Sequence, residues 1–203
     1  MKAPAFPTAT AAFHALALLF FGGCAAALVR ESQALGGRRG MVDLGVAVAA
    51  GGLALVSAWA LGALVRARTL SAVRSHSQVG TYLQVLAAMV GLGLLGLHLL
   101  TAQERPALGA FCLGLAVWLG GIGLHQVPAL FLAGDGFIDS LGRRTRFAEL
   151  EWFTLQKQGG EPPRVLFQAG RGLALRLEAR LAGADAEGLR LKLQQAGLSP
   201  RGK

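Results

Sequence analysis

Charged residues are scarce in this sequence and make up only 15% of its 203 positions. Four long runs contain no Asp, Glu, Lys or Arg at all. Hydrophobic residues reach 53%, and the mean hydropathy is +0.49. So little charge with so much apolar sequence is atypical of a soluble globular domain and indicates a membrane protein.

Groups that carry chemistry are also scarce. The two cysteines, Cys24 and Cys112, lie inside apolar runs, which argues against a structural disulfide and predicts two small buried side chains. No nucleophile–base pair, carboxylate pair or phosphate-binding loop is apparent. The glycines of "GLGLLG" at 91–96 lie within an apolar run rather than between a strand and a helix. We therefore expect no catalytic residue, no metal site and no cofactor, and we predict that the protein is not an enzyme.

The four uncharged runs are each long enough to cross a bilayer, which takes about 20 apolar residues per helix. Pairs of small residues four positions apart, such as Ala116 and Gly120, are expected to let neighbouring helices approach closely. Ala47 with Gly51 and Ala58 with Gly62 have the same spacing. The predicted membrane region is 1–127, with spans at 10–29, 44–65, 79–101 and 107–127.

The first run has an alternative interpretation. "LLFFGGC" ends in Cys24 and loosely resembles a lipoprotein signal, which is cleaved before a cysteine that then becomes lipidated. However, Phe21 stands where a leucine-like residue is expected, and apolar sequence continues past the cysteine as "AAALV". A retained membrane helix is the favoured interpretation.

The basic residues of the loops predict the orientation. With four spans, the N-terminus, the loop at 66–78 and the C-terminal tail lie on one side. That side has Lys2, Arg66, Arg68 and Arg74, together with the arginines of the tail. The other side has four basic residues, Arg30, Arg38, Arg39 and Arg105. The positive-inside rule therefore predicts that both termini are cytoplasmic and that the protein lies in a bacterial inner membrane.

Histidines are the only ionisable side chains in the spans, and such groups are candidates for function. His14 and His125 are expected on the same side of the bundle, near His76, and a pair of histidines can hold haem in a four-helix membrane bundle. The alternative function is therefore a small membrane carrier or a haem-binding redox subunit. Each span has at most one histidine, however, so histidines that form interhelical hydrogen bonds are the simpler interpretation.

After Pro128 the pattern changes from continuous apolar sequence to alternation, which is typical of strands. "GDG" at 134–136, "LGRR" at 141–144 and "GRG" at 170–172 are turn patterns, and "LALRLEARL" at 173–181 alternates regularly. A final helix is predicted with Asp185 as its N-cap and Gly197 just past its end. The fold class is thus an α+β membrane protein: four spans, an antiparallel meander of five or six strands with a closing helix at 128–198, and a tail at 199–203.

This β-region resembles the bacterial pleckstrin-homology-like (PH-like) domains of small membrane proteins. The resemblance rests on Gly136-Phe137-Ile138, on "RRTRFAELEWFTL" at 143–155, and on the closing strand and helix. It implies a cytoplasmic PH-like domain without catalytic residues.

Arg143, Arg144 and Arg146 cluster at one turn of the tail and are candidates for contact with anionic lipid headgroups or a protein partner. A solvated turn that also keeps this end of the chain inside is the alternative. The net charge of +9 is accompanied by no nucleic-acid-binding motif, so we expect no nucleic-acid partner. The predicted function is a non-enzymatic inner-membrane protein whose cytoplasmic PH-like domain mediates lipid-headgroup or protein contacts, as a scaffold or an accessory subunit. Its predicted partners are the lipid bilayer, anionic lipid headgroups, and other proteins or further copies of the same chain.

Overall fold

A computed structural model describes residues 5–67, 70–73, 79–125, 127–159 and 163–201. The chain divides into two compact units. The helical unit comprises Ala9–Leu61 and Gln78–Gln126. The β unit comprises Met1–Thr8, Gly62–Ser77 and Val127–Lys203. The β unit therefore contains, besides the tail, the first residues of the chain and the connection between the second and third helices.

Four helices in the described part of the chain are long and apolar enough to cross a membrane. The two N-terminal helices extend beyond the predicted spans because their charged ends, including Arg30 and Arg38, remain helical. The fourth begins at Pro106, whose missing N–H costs nothing in the first turn, and it ends before the predicted limit at 127. The helices are α1 (Thr8–Leu35), α2 (Gly37–Ala67), α3 (Val79–Thr101) and α4 (Pro106–Gly123).

Helix α4 lies between α1 and α3, and glycines permit both contacts. A Cβ added to Gly109 would lie 2.9 Å from the carbonyl oxygen of Gly96 on α3. On the other side, the ring of Phe20 from α1 lies over Gly114 and occupies the space that a Cβ would need. The backbones of α3 and α4, which approach this closely, gain dispersion contacts that hold helices together in lipid.

The predicted small-residue pairs are used unequally. Ala116 and Gly120 are both buried on α4. Gly51 has no neighbour within 4 Å of an added Cβ, so Ala47 does not pack through that pair. Helix α2 instead buries a stripe of alanines, Ala47, Ala50 and Ala54, in the core of the helical unit.

The β unit contains two four-stranded sheets. The first is an antiparallel sheet with the order β1-β2-β3-β4, and the second has the order β7-β6-β5-β8 with β8 parallel to β5. Six strands of the tail match the predicted meander; β1, from the loop at 66–78, and β8, within the predicted tail, are additional. The strands are β1 (Ser71–Val73), β2 (Leu130–Leu132), β3 (Gly136–Asp139), β4 (Arg144–Arg146), β5 (Trp152–Gln158), β6 (Arg164–Arg171), β7 (Ala174–Ala182) and β8 (Ser199–Pro200).

The core of the β unit lies between the sheets. Phe137 of the first sheet and Phe167 of the second are fully buried, with ring centroids 5.4 Å apart. Because side chains alternate along a strand, Ile138 lies on the other face of β3. There it packs with Phe131 against Leu64, near the end of α2. The first sheet is therefore covered on both faces.

Helix α5 (Gly183–Gln195) adds Leu189 and Leu193 to the core. Its N-cap is Ala182, and Asp185 lies buried in the first turn, so the prediction of Asp185 as N-cap was wrong. At the other end, Gly197 has a φ of +84°, and the N–H of Leu198 bonds to the carbonyl of Leu193. This is a Schellman motif, and it confirms the predicted role of the glycine.

Candidate functional site

The predicted basic turn connects β3 and β4. The carboxylate of Asp139 shapes it by accepting the N–H groups of Leu141 and Arg143 at 2.9 and 2.8 Å. Gly142 supplies the positive φ of +80° that the turn needs. The side chains of Arg143, Arg144 and Arg146 are all exposed. The structure therefore places Arg143 in the turn and Arg144 and Arg146 on the adjoining strand β4, with all three side chains exposed.

One of these arginines has an acidic partner. The guanidinium of Arg144 donates to Asp135, and that hydrogen bond lowers the pKa of the Asp135 carboxyl below its usual value. The side chains are 43% and 54% exposed, so solvent screens the pair and its contribution to stability is small. Asp135 offsets part of the positive charge of the turn.

Two of the three candidate histidines, His14 and His125, lie in the described part of the helical unit. His14 is buried on α1 beside the ring of Phe13, and the ring of His125 lies 6.2 Å from that of Tyr82. The described residues contain no group of three His, Cys, Asp or Glu side chains able to hold a metal ion. His76 lies outside the described residues. The haem hypothesis for His14 and His125 stays a prediction.

An apolar groove of about 540 Å³ lies between α1 and α4. Phe13, Phe20, Leu113, Val117 and Trp118 are among the side chains that line it. No carboxylate, amine or guanidinium is among its lining groups, and these are the groups with which a carrier binds a polar substrate. The carrier hypothesis stays a prediction.

Charged residues cluster where the α1–α2 and α3–α4 connections meet. The guanidinium of Arg105, 18% exposed, donates to the fully buried carboxylate of Asp43. Beside them, Glu31 accepts the N–H of Ala107 at 3.0 Å in the first turn of α4, where a negative charge is favourable. These contacts join the ends of α1, α2 and α4 directly. Helix α3 is joined to them through the short connection that contains Arg105.

Sequence reasoning missed this cluster. The first uncharged run ends at Val29 and the second begins at Leu44. Glu31 and Asp43 lie between them and were therefore assigned to a loop. The signal was present nevertheless: two acidic residues in the first connection and Arg105 in the third lie on the same side of a four-span protein.

A cleft of about 340 Å³ opens beside this cluster. Glu31, Arg39, Glu104 and Arg105 contribute its charged groups. Glu104 has a φ of +52°, a left-handed conformation that glycine adopts more easily. It lies in the short connection after α3, where the N–H of the next residue, Arg105, bonds to the carbonyl of Leu99.

A second ordered turn lies at the tip of the β6–β7 hairpin. Gly172 has a φ of +56°, and its N–H donates to the Glu151 carboxylate at 2.9 Å. The carbonyl of Gly172 accepts the indole N–H of Trp152 at 2.8 Å and the guanidinium of Arg201 at 3.1 Å. The Gly172 N–H and the Arg171 guanidinium lower the pKa of the Glu151 carboxyl. Side chains from β5 and from the residue after β8 thus hold this turn.

No protein-family model, no curated protein and no solved structure matches this chain. The functional argument therefore rests on the residues themselves.

Proposed function

We propose that this protein is a non-enzymatic, multi-pass membrane protein whose β unit contacts anionic lipid headgroups, as a scaffold or an accessory subunit of a larger assembly. The observation that carries the proposal is the basic turn. Three exposed arginines, Arg143, Arg144 and Arg146, lie within four successive positions, and Asp139 orders the turn before them. Each basic residue near a negatively charged leaflet contributes about 1 kcal/mol.

A PH-like identity for the β unit is part of this proposal. Two facing sheets, a buried aromatic core and a C-terminal helix after the last long strand support it. The strand β1 enters the first sheet from the connection between α2 and α3.

We further propose a bacterial inner-membrane location with both termini in the cytoplasm. Ala5 bridges Leu70, and β1 pairs with β2, so the start of the chain, the second connection and the tail belong to one folded unit. These segments therefore lie on one side of the membrane, which is the side with more basic residues. A reporter fused after Lys203 should be active in the cytoplasm, and export of that reporter would overturn the orientation.

The lipid contact can be tested with the full-length protein in lipid nanodiscs. Hydrogen exchange of residues 140–147 should slow when neutral phosphatidylcholine discs are replaced by discs with about one third phosphatidylglycerol. Replacing Arg143 and Arg146 by Gln should abolish that difference. The matched control replaces the exposed Lys157 and Lys192 by Gln, which removes the same charge elsewhere.

Equal exchange in both kinds of disc would overturn the proposal. Protection that depends on a co-purified protein, rather than on lipid charge, would instead identify a protein partner for the turn.

A further inference from the structure

The tip of the β6–β7 hairpin displays leucine to solvent. Arg171 pairs with Ala174, so Gly172 and Leu173 form a two-residue turn. Leu173 is 91% exposed, more than any other large apolar side chain in the described part of the chain, and Leu175 is 50% exposed. Turns of this kind favour glycine and small polar residues. Folding of the β unit therefore does not account for a leucine at this position.

The tip is ordered without any partner. Both backbone polar groups of Gly172 are hydrogen bonded to side chains, through Glu151, Trp152 and Arg201. A side chain on a turn that is already fixed loses little conformational freedom when it binds. Leu173 is therefore presented in a defined position rather than on a mobile loop.

Positive charge surrounds the tip. Arg171, Arg176 and Arg201 are exposed, and Glu151 is the acid that pairs with Arg171. Arg201 also stacks over the ring of Trp152, with its guanidinium carbon 5.0 Å from the ring centroid. At a membrane interface, leucine enters the apolar side, while arginine and tryptophan lie at the level of the headgroups. A surface with these three residues therefore favours binding to anionic lipid.

We propose that this hairpin tip inserts Leu173, with Leu175 behind it, into the headgroup region of the bilayer that the four helices span. The occupant is the anionic leaflet, because the exposed arginines complement its charge and because the chain enters the β unit directly from α2 and α4. The proposal rests on the proposed function in naming lipid as the partner, but it uses a different turn of the β unit.

The test places a spin label at position 173, as Leu173→Cys in a Cys24→Ala/Cys112→Ala background, in full-length protein. Nanodiscs contain phosphatidylcholine with about one third phosphatidylglycerol. The matched control label is Lys157→Cys, on the same sheet near the opposite end of β5. Collisions with oxygen, which concentrates in lipid, and with a water-soluble nickel chelate then report the surroundings of each label.

We expect high oxygen and low nickel collision rates at 173, and the reverse at 157. High nickel collision rates at 173 would mean a tip in water and would overturn the proposal. Low rates for both reagents would mean that protein covers the tip, which would also overturn it.

A second variant tests the leucine itself. With the label moved to the exposed neighbour as Ala174→Cys, Leu173→Ser should shift the ratio of lipid-inserted to water-exposed tip by about tenfold, since burying a leucine side chain is worth at least that factor. An unchanged ratio would contradict the role of Leu173.

The same nanodiscs distinguish the two proposed lipid contacts, that of the basic turn and that of the hairpin tip. If the tip lies in water while Arg143→Gln/Arg146→Gln still abolishes the lipid-charge dependence of residues 140–147, the tip proposal alone is wrong. If the tip inserts but residues 140–147 ignore lipid charge, the basic-turn proposal alone is wrong.

Discussion

The two units of this protein differ in the residues that make their closest contacts. In the helical unit, the closest contacts are made by glycines, such as Gly96 against Gly109, and the packed stripe of α2 consists of alanines. In the β unit, the core consists of large side chains, among them Phe137, Phe153 and Phe167. Water drives large apolar groups together, whereas lipid provides no such force, so helices in lipid associate through small residues and polar contacts.

The largest effect is expected from the β core. Phe167→Ala should lower the free energy of unfolding of the β unit by about 3–5 kcal/mol, through lost burial and the cavity left behind. Hydrogen exchange of full-length protein in detergent should show lost protection across β5–β7 and unchanged protection in the helical unit. Leu191→Ala, at an exposed site on α5, is the control. An equal loss of hydrogen-exchange protection in both units would show that the effect of the substitution is not confined to the β unit.

A buried ion pair gives the next largest effect, now in the helical unit. Asp43→Ala leaves the partly buried Arg105 without its carboxylate and should cost about 3 kcal/mol, measured by unfolding in sodium dodecyl sulfate. Replacing both residues, as Asp43→Leu/Arg105→Met, should restore most of that loss. A single variant as stable as the double one would show that the pair does not join the helices.

The glycine contact between α3 and α4 ranks third. In Gly109→Ala, the new methyl group would lie 2.6 Å from Leu100 and 2.9 Å from the backbone oxygen of Gly96, which should cost about 1–3 kcal/mol in the same unfolding measurement. Gly91→Ala is the matched control on α3, since nothing lies within 4 Å of its added Cβ. If both variants lost the same stability, close approach would not be the cause.

Strain at Glu104 should produce a smaller change of opposite sign. Glu104→Gly should stabilise the helical unit by about 1 kcal/mol, because glycine adopts the positive φ without a steric penalty. Glu104→Ala removes the carboxylate but keeps the strained conformation, so it should not stabilise. A gain in both variants would assign the effect to charge instead of backbone conformation.

Acid should have the smallest effect, and only on the β unit. The pKa values of Asp135 and Glu151 lie below their ordinary values of 3.8 and 4.5. A lowered carboxyl pKa stabilises the fold at higher pH, and this contribution is lost as the pH falls through the folded pKa. The thermal midpoint of the β unit should fall slightly below about pH 4. In Glu151→Gln the fall should be smaller; an identical fall would exclude Glu151 as a cause.

The parts of the fold that were predictable depend on local pattern. Uncharged runs predicted the four helices, and alternation with turn residues predicted β2 to β7 and the helix that ends at Gly197. The strand β1 was not predictable, because its three residues become a strand only through pairing with β2, more than 50 positions later. The Asp43–Arg105 pair was not predictable either, because its members are 62 residues apart and meet only in the folded chain.

The candidate sites also divide into features that depend on local sequence pattern and features that depend on the folded chain. The three arginines of the basic turn are adjacent in sequence and were found. The hairpin tip was recognised as a turn, and the alternation of "LALRLEARL" at 173–181 puts Leu173, Leu177 and Leu181 on one face of the strand. Alternation correctly predicts the shared face, and Leu181 is buried. It does not predict that the hairpin extends beyond the core, which depends on where the two sheets stop facing each other.

The pairing of β1 with β2 also bears on how the chain enters the membrane. Among the described residues between these strands, the elements are α3 and α4, two candidate crossings that would return the chain to the side from which it started. A chain that inserted just one of the two would leave β1 and β2 on opposite sides of the bilayer, and the first sheet could not close. The first sheet can therefore be completed only when α3 and α4 are inserted as a pair. A chain inserted incorrectly would expose an incomplete β unit to quality-control proteases.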